Sequence, residues 1–146
     1  MTIVSSRFAF RAIILGLAIV AWPARSETSA QARLSLDLNA IEQIDQACRL
    51  VFVATNATGK SITEMTLETV LFDGSGKVTR FTLFYFKALP KDKTRVRQFD
   101  LPDTQCTAVS RILINGAASC KGEALTGSEC IDQLDVKSST KTEIAG

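Results

Sequence analysis

Beyond residue 32, apolar side chains recur at every second position, the period of a half-buried strand and not of a helix. Arg33-Leu-Ser-Leu-Asp-Leu38 alternates strictly and puts Leu34, Leu36 and Leu38 on one face. Cys48-Arg-Leu-Val-Phe-Val-Ala-Thr55 is β-rich and apolar on both faces, the pattern of a central strand. Thr66 to Phe72 and Val78 to Phe86 flank Asp73-Gly-Ser-Gly-Lys77, a glycine-containing loop opened by an aspartate, which predicts a hairpin. Alternation returns from Thr94 to Asp100, and Val109 to Asn115 and Leu134 to Thr140 complete a set of about seven strands separated by regular turn signals, the mark of a sandwich. Asn56 to Lys60 and Ala88 to Lys93 read as turns or loops. One stretch breaks the pattern: Asn39 to Ala47 predicts a short turn of helix, with Asn39 as cap and Glu42 at the capping-box position. The polar tail Lys137-Ser-Ser-Thr-Lys-Thr142 is expected to fray. Residues 33–146 suffice for a single domain with one core.

Residues 1–32 have another character. Arg7 and Arg11 precede Ala12-Ile-Ile-Leu-Gly-Leu-Ala-Ile-Val-Ala21, which carries no polar side chain. A helix of that length rises about 15 Å, roughly half the hydrocarbon core, so it is too short for a stable span. A basic start, a short apolar run and small residues beyond are the signature of a cleaved secretory signal, and no membrane anchor is expected after cleavage. Cleavage is expected after Ser26 or after Ala32, and the separated arginines give no twin-arginine pair.

The signal also carries the charge imbalance. The whole chain has 17 basic and 15 acidic residues; residues 1–32 contain Arg7, Arg11, Arg25 and Glu27, so 14 of each remain. A globally basic nucleic-acid binder is not expected. The four cysteines, Cys48, Cys106, Cys120 and Cys130, all follow the signal, and an even count in a small exported domain reads as disulfides. Three pairings are open; Cys48–Cys106 with Cys120–Cys130 is favoured because the second pair closes a short polar loop. As zinc ligands the four are poorly spaced, with no C-x-x-C and no histidine in the chain.

From the hairpin outward, Asn56-Ala-Thr58, Ile62, Leu67, Leu71-Phe72-Asp73, Gly76-Lys77-Val78, Leu89-Pro90 and Phe99 follow one order. It resembles the small extracytoplasmic immunoglobulin-like domains of the FxLYD and CARDB-like kind, over residues 56–100. The sequence departs from that pattern at Lys91, where glycine is usual, and in its four cysteines. The resemblance implies an immunoglobulin-like fold, a cell-envelope setting and an accessory or interaction role, and it carries over no catalytic residue. The fold class expected is an all-β, immunoglobulin-like antiparallel β-sandwich of about seven strands, stabilised by two disulfides.

Candidate chemistry is sparse. Without histidine there is no Ser-His-Asp or Cys-His arrangement, and no G-x-S-x-G elbow occurs. Ser61 beside Lys60 is formally a dyad, but neighbours on a turn seldom act as one. Asp73-Gly-Ser-Gly lacks the spaced carboxylates of a calcium loop, and Asp100 and Asp103 read as solvated surface groups. A copper role is disfavoured because Met65 is the one methionine beyond the signal. No cofactor is implied. Asn56-Ala-Thr58 matches a glycosylation acceptor but reads first as a turn.

Two features remain as candidate contact residues. Lys91, Lys93, Arg95 and Arg97, with Lys87 just before, recur every second residue and point one way along an extended segment. Such a row suits an acidic partner, a polyanionic glycan or anionic lipid headgroups, but the reading expected first is protection of an edge strand against aggregation. On the aromatic run, Phe84 and Phe86 share the face expected in the core. Burial or cover of the opposite face is expected too; its exposure would leave Phe81, Leu83 and Tyr85 as an apolar patch for a partner. The function expected is a non-catalytic exported binding or accessory module, periplasmic or secreted, acting on an envelope protein or acidic ligand. The alternatives are a small metal-free hydrolase or isomerase, or a structural subunit of an envelope assembly.

Overall fold

The computed structural model describes residues 33–123, 125 and 128–146. The expected export segment, with both cleavage sites, lies outside the described residues. The strands are β1 (Leu34–Ile44), β2 (Ala47–Asn56), β3 (Ile62–Phe72), β4 (Val78–Leu89), β5 (Lys93–Leu101), β6 (Arg111–Gly122), β7 (Leu134–Ser138) and β8 (Glu143–Ala145). A 3-10 turn at Cys106–Ala108 and the one-turn helix α1 (Glu129–Asp132) complete the elements. They form two four-stranded sheets, in the orders β5-β2-β1-β7 and β4-β3-β6-β8. The first, second and fifth strands share one sheet and the third, fourth and sixth the other, the immunoglobulin-like division. The inner ladders are antiparallel as expected, but at one edge of each sheet β7 runs parallel to β1 and β8 parallel to β6.

The helical turn expected at Asn39–Ala47 is a strand. β1 continues to Ile44 against β2, absorbs Asn39 as an extra residue between the Leu38–Phe52 and Ala40–Val51 pairs, and reverses at Asp45–Gln46. Asp45 takes a left-handed φ of 49°, a conformation that aspartate tolerates at a tight turn. The capping signals were local; the ladder to β2 and the packing of Ile41 against the core outweigh them. The tail is also more ordered than its polarity suggested. Thr142 is buried and donates its hydroxyl to the Val109 carbonyl at 2.8 Å, and β8 follows beside β6.

Between the sheets, Leu34, Leu36 and Leu38 meet Leu50, Phe52, Leu67 and Leu71 in one core. Phe84 stacks on Phe99 at 4.4 Å, and Phe52 and Phe86 pack against them edge-on or tilted. The predicted 73–77 hairpin loop forms as read: the Asp73 carboxylate accepts the N–H groups of Ser75 and Lys77 and the Ser75 hydroxyl, and Gly76 supplies a φ of 81°. Asn56 is fully buried at the end of β2. Its amide donates to the carbonyls of Lys60 at 2.8 Å and Leu89 at 2.7 Å, tying β2 to the end of β4 in the other sheet.

The favoured cysteine pairing is the one that forms. Cys48–Cys106 ties the start of β2 to the 3-10 turn, and Cys120–Cys130 ties β6 to α1. Two disulfides and no free cysteine fit an oxidising compartment. No helix among the described residues is long and apolar enough to cross a membrane.

Candidate functional site

A run of exposed apolar side chains lies on the outside of the β4-β3-β6-β8 sheet. Along β4, pleating sends Phe84 and Phe86 into the core and leaves their neighbours outside. Phe81 is 74% exposed, Tyr85 57% and Leu83 41%, so the opposite face is neither buried nor covered, contrary to expectation. Register extends the patch across the sheet, since Val70 of β3 lies opposite Phe81 on one side and Leu113 of β6 on the other. Val70 is nearly inaccessible.

One acidic group stands inside this apolar area. Glu68 lies opposite Leu83 and opposite Gly116, and Asn115 is the extra residue where the β3–β6 register steps from Glu68–Gly116 to Thr69–Ile114. Glycine at 116 makes room for the carboxylate: a Cβ there would stand 3.4 Å from the Glu68 Oε2. Glu68, Val70, Phe81, Leu83 and Asn115 line a shallow cavity of about 280 Å³. Among the described residues Glu68 has no hydrogen-bond or ion-pair partner.

The basic row sits elsewhere, on and before β5, the edge strand of the other sheet. Arg95 and Arg97 do share a face, but it is the inward one, opposite Ala54 and Phe52. Arg97 reaches across the open side of the sandwich to β4, donating Nε to the Phe86 carbonyl at 2.6 Å and Nη2 to the Ala88 carbonyl at 2.9 Å. Its guanidinium thus fastens one edge strand to the other. Arg95 donates to the Thr94 carbonyl at 3.0 Å. Lys91 and Lys93 are exposed at the β4–β5 turn, and Lys87 sits at a left-handed φ of 59° within β4. Among the described residues none of these five cations forms an ion pair. The fold therefore brings Phe81 and Tyr85 together on one face and separates them from the inward arginines.

The remaining candidates are engaged in the fold. Lys60 pairs with Glu129 at 2.7 Å, and the Ser61 hydroxyl accepts the Lys91 N–H. Asp100 takes a bidentate bond from Arg49 at 2.7 and 2.9 Å, which holds its carboxyl below the usual range. Asp73 is lowered chiefly by the Ser75 hydroxyl, and Glu64 by the Ser119 hydroxyl and then Lys121. These are anchored carboxylates, the opposite of a raised general acid. Asn56 is buried with both amide hydrogens bonded, so the Asn56-Ala-Thr58 motif is a turn in the folded chain. A cavity of about 580 Å³ is lined by Thr107, Ser110, Thr140, Lys141 and neighbours, with no carboxylate. No cluster of three or more cysteine or carboxylate side chains suited to a metal occurs among the described residues.

Glu68, Val70 and Asn115 were not singled out in the sequence because they join the site through the registers of β3 and β6. The Asn115-Gly116 pair within a strand run was the available signal, since a glycine there marks a bulge. IrmA from Escherichia coli shares the fold, with a TM-score of 0.61 over 73% of this chain and 92% of its own, at 14% sequence identity. No protein-family model and no curated protein matches the chain.

Proposed function

We propose that this chain is a non-catalytic binding module, exported to the cell envelope, whose contact face is the outer surface of β4 and its neighbours. One observation carries the reading: three large apolar side chains, Phe81, Leu83 and Tyr85, stand exposed in a row on one face of β4. Contiguous exposed apolar surface of this kind marks a place that another molecule covers. The two disulfides support the exported setting, as does the resemblance over residues 56–100 to extracytoplasmic accessory domains. Lys87, Lys91 and Lys93, beyond the Tyr85 end of the row, suit an acidic group on the same partner.

The test is crosslinked capture from envelope extract with the oxidised protein beside a Phe81→Ser/Tyr85→Ser variant. The reading expects one partner, captured by the parent and lost with the variant. Equal capture by both proteins moves the contact away from this face. A second reading, a subunit of a larger assembly, draws on β4 being an edge strand with an apolar outer face. Self-association of the purified chain at micromolar concentration, measured by sedimentation velocity, would favour it.

A further inference from the structure

The geometry points to the cavity between Phe81, Glu68 and Asn115 as the receptor for an arginine side chain of the bound partner; this rests on the contact face proposed above. The argument is one of complementarity. Glu68 with its carboxylate, Asn115 with its side-chain amide and the exposed Phe81 with its aromatic ring all line one hollow. The lining contains no cation. A flat guanidinium is the group that pairs with a carboxylate through two parallel bonds while stacking on an aromatic ring. It is also among the side chains that dominate binding at the centre of an interface.

The charges around the hollow leave this role open. Arg111 sits 4.2 Å above the Phe72 ring, showing the same cation–ring contact made internally on this sheet, and Arg80 donates to the Pro102 carbonyl. Glu64 is held by Ser119 and Lys121. Glu68 alone among these is unanswered, and the absence of a side chain at Gly116 leaves space beside it. At about 280 Å³ the hollow falls just under the usual range for small-molecule pockets, a size for one inserted side chain. A cation here and an acid at the Lys87–Lys93 end would also fix the direction in which a partner lies along β4.

The experiment is an amide NMR titration of the intact oxidised protein with three probes: N-acetyl-arginine amide, its neutral citrulline counterpart and N-acetyl-leucine amide. The inference expects shifts at Glu68, Val70, Phe81, Leu83 and Asn115, with arginine at least about five-fold tighter than citrulline. In Glu68→Gln, an exposed substitution that leaves the core alone, that preference should vanish. Equal binding of arginine and citrulline would overturn the arginine site while leaving an adhesive apolar face, as would leucine alone shifting these amides. Shifts elsewhere, or none with any probe, would overturn the site and remove this support for the face. Arginine preference that survives in Glu68→Gln would also overturn it.

Discussion

Arg97 joins the two edge strands β4 and β5 across the open side of the sandwich, and its replacement is the sharpest test of the fold described. Arg97→Met keeps most of the aliphatic stem and removes the donors to the Phe86 and Ala88 carbonyls. Hydrogen bonds to a charged group contribute about 1.5–3 kcal/mol each when well shielded. Arg97 is half-buried and its acceptors lie on a strand edge that water can reach, so the pair is discounted to about 2 kcal/mol in total. With an unfolding entropy of about 2.1 cal/mol/K per residue over residues 33–146, about 0.24 kcal/mol/K, the midpoint should fall by about 8 °C. Arg95→Met is the control, because Arg95 bonds only to the Thr94 carbonyl of its own strand. Differential scanning calorimetry of both variants reads the difference. If Arg97→Met melts within about 2 °C of Arg95→Met, the fastening of β4 to β5 contributes nothing and the reasoning fails.

Thr69 is buried with its hydroxyl unpartnered, so Thr69→Val should stabilise by about 1 kcal/mol in urea titration. Asn56→Ala breaks the amide bonds to Lys60 and Leu89 and leaves buried groups unanswered; a loss of about 3 kcal/mol is expected by the same method. Replacing each disulfide by serines should cost about 4 kcal/mol for Cys48–Cys106, which spans 58 residues, and about 3 for Cys120–Cys130, which spans 10, so that their order by melting tests loop closure. The folded carboxyls of Asp73, Asp100 and Glu64 lie below their ordinary values. Their contribution is therefore present above the unfolded values of about 4 and is lost as pH falls through the folded ones. The melting temperature should drop below about pH 4, and Asp100→Asn should make that drop shallower.

Period-two alternation was enough to read most strands, the 73–77 hairpin and the sandwich, because side-chain direction along a strand follows from the backbone alone. The cysteine pairing was also legible, since a 10-residue separation makes Cys120 and Cys130 natural partners. What escaped was set by pairing between distant segments. Asn39 and Glu42 carry helix-start chemistry, yet β2 runs alongside and continues the ladder through them. Parallel β7 and β8 depend on where the chain returns after the Cys120–Cys130 loop, which no local pattern encodes. The candidate site shows the same limit: Phe81, Leu83 and Tyr85 were visible as alternate positions on β4, whereas Glu68 and Asn115 join them only through the registers on either side of β3.

The location of the basic row favours the outer face over the strand edge as the surface for the partner proposed above. β4 and β5 are both edge strands, and an open edge is an invitation to strand addition. Arg97 occupies the carbonyls of Phe86 and Ala88, and the left-handed backbone at Lys87 interrupts the extended run between them. A partner strand laid along this end of β4 would have to displace a guanidinium and match a backbone that turns away. The same positive charge that the sequence offers as a docking row therefore acts here as closure of the sandwich. The side chains of Phe81, Leu83 and Tyr85 stand perpendicular to that edge, on a surface the closure leaves untouched. The partner proposed above, reading the domain by these side chains and by Glu68, unpaired among the described residues, would need no free backbone at all.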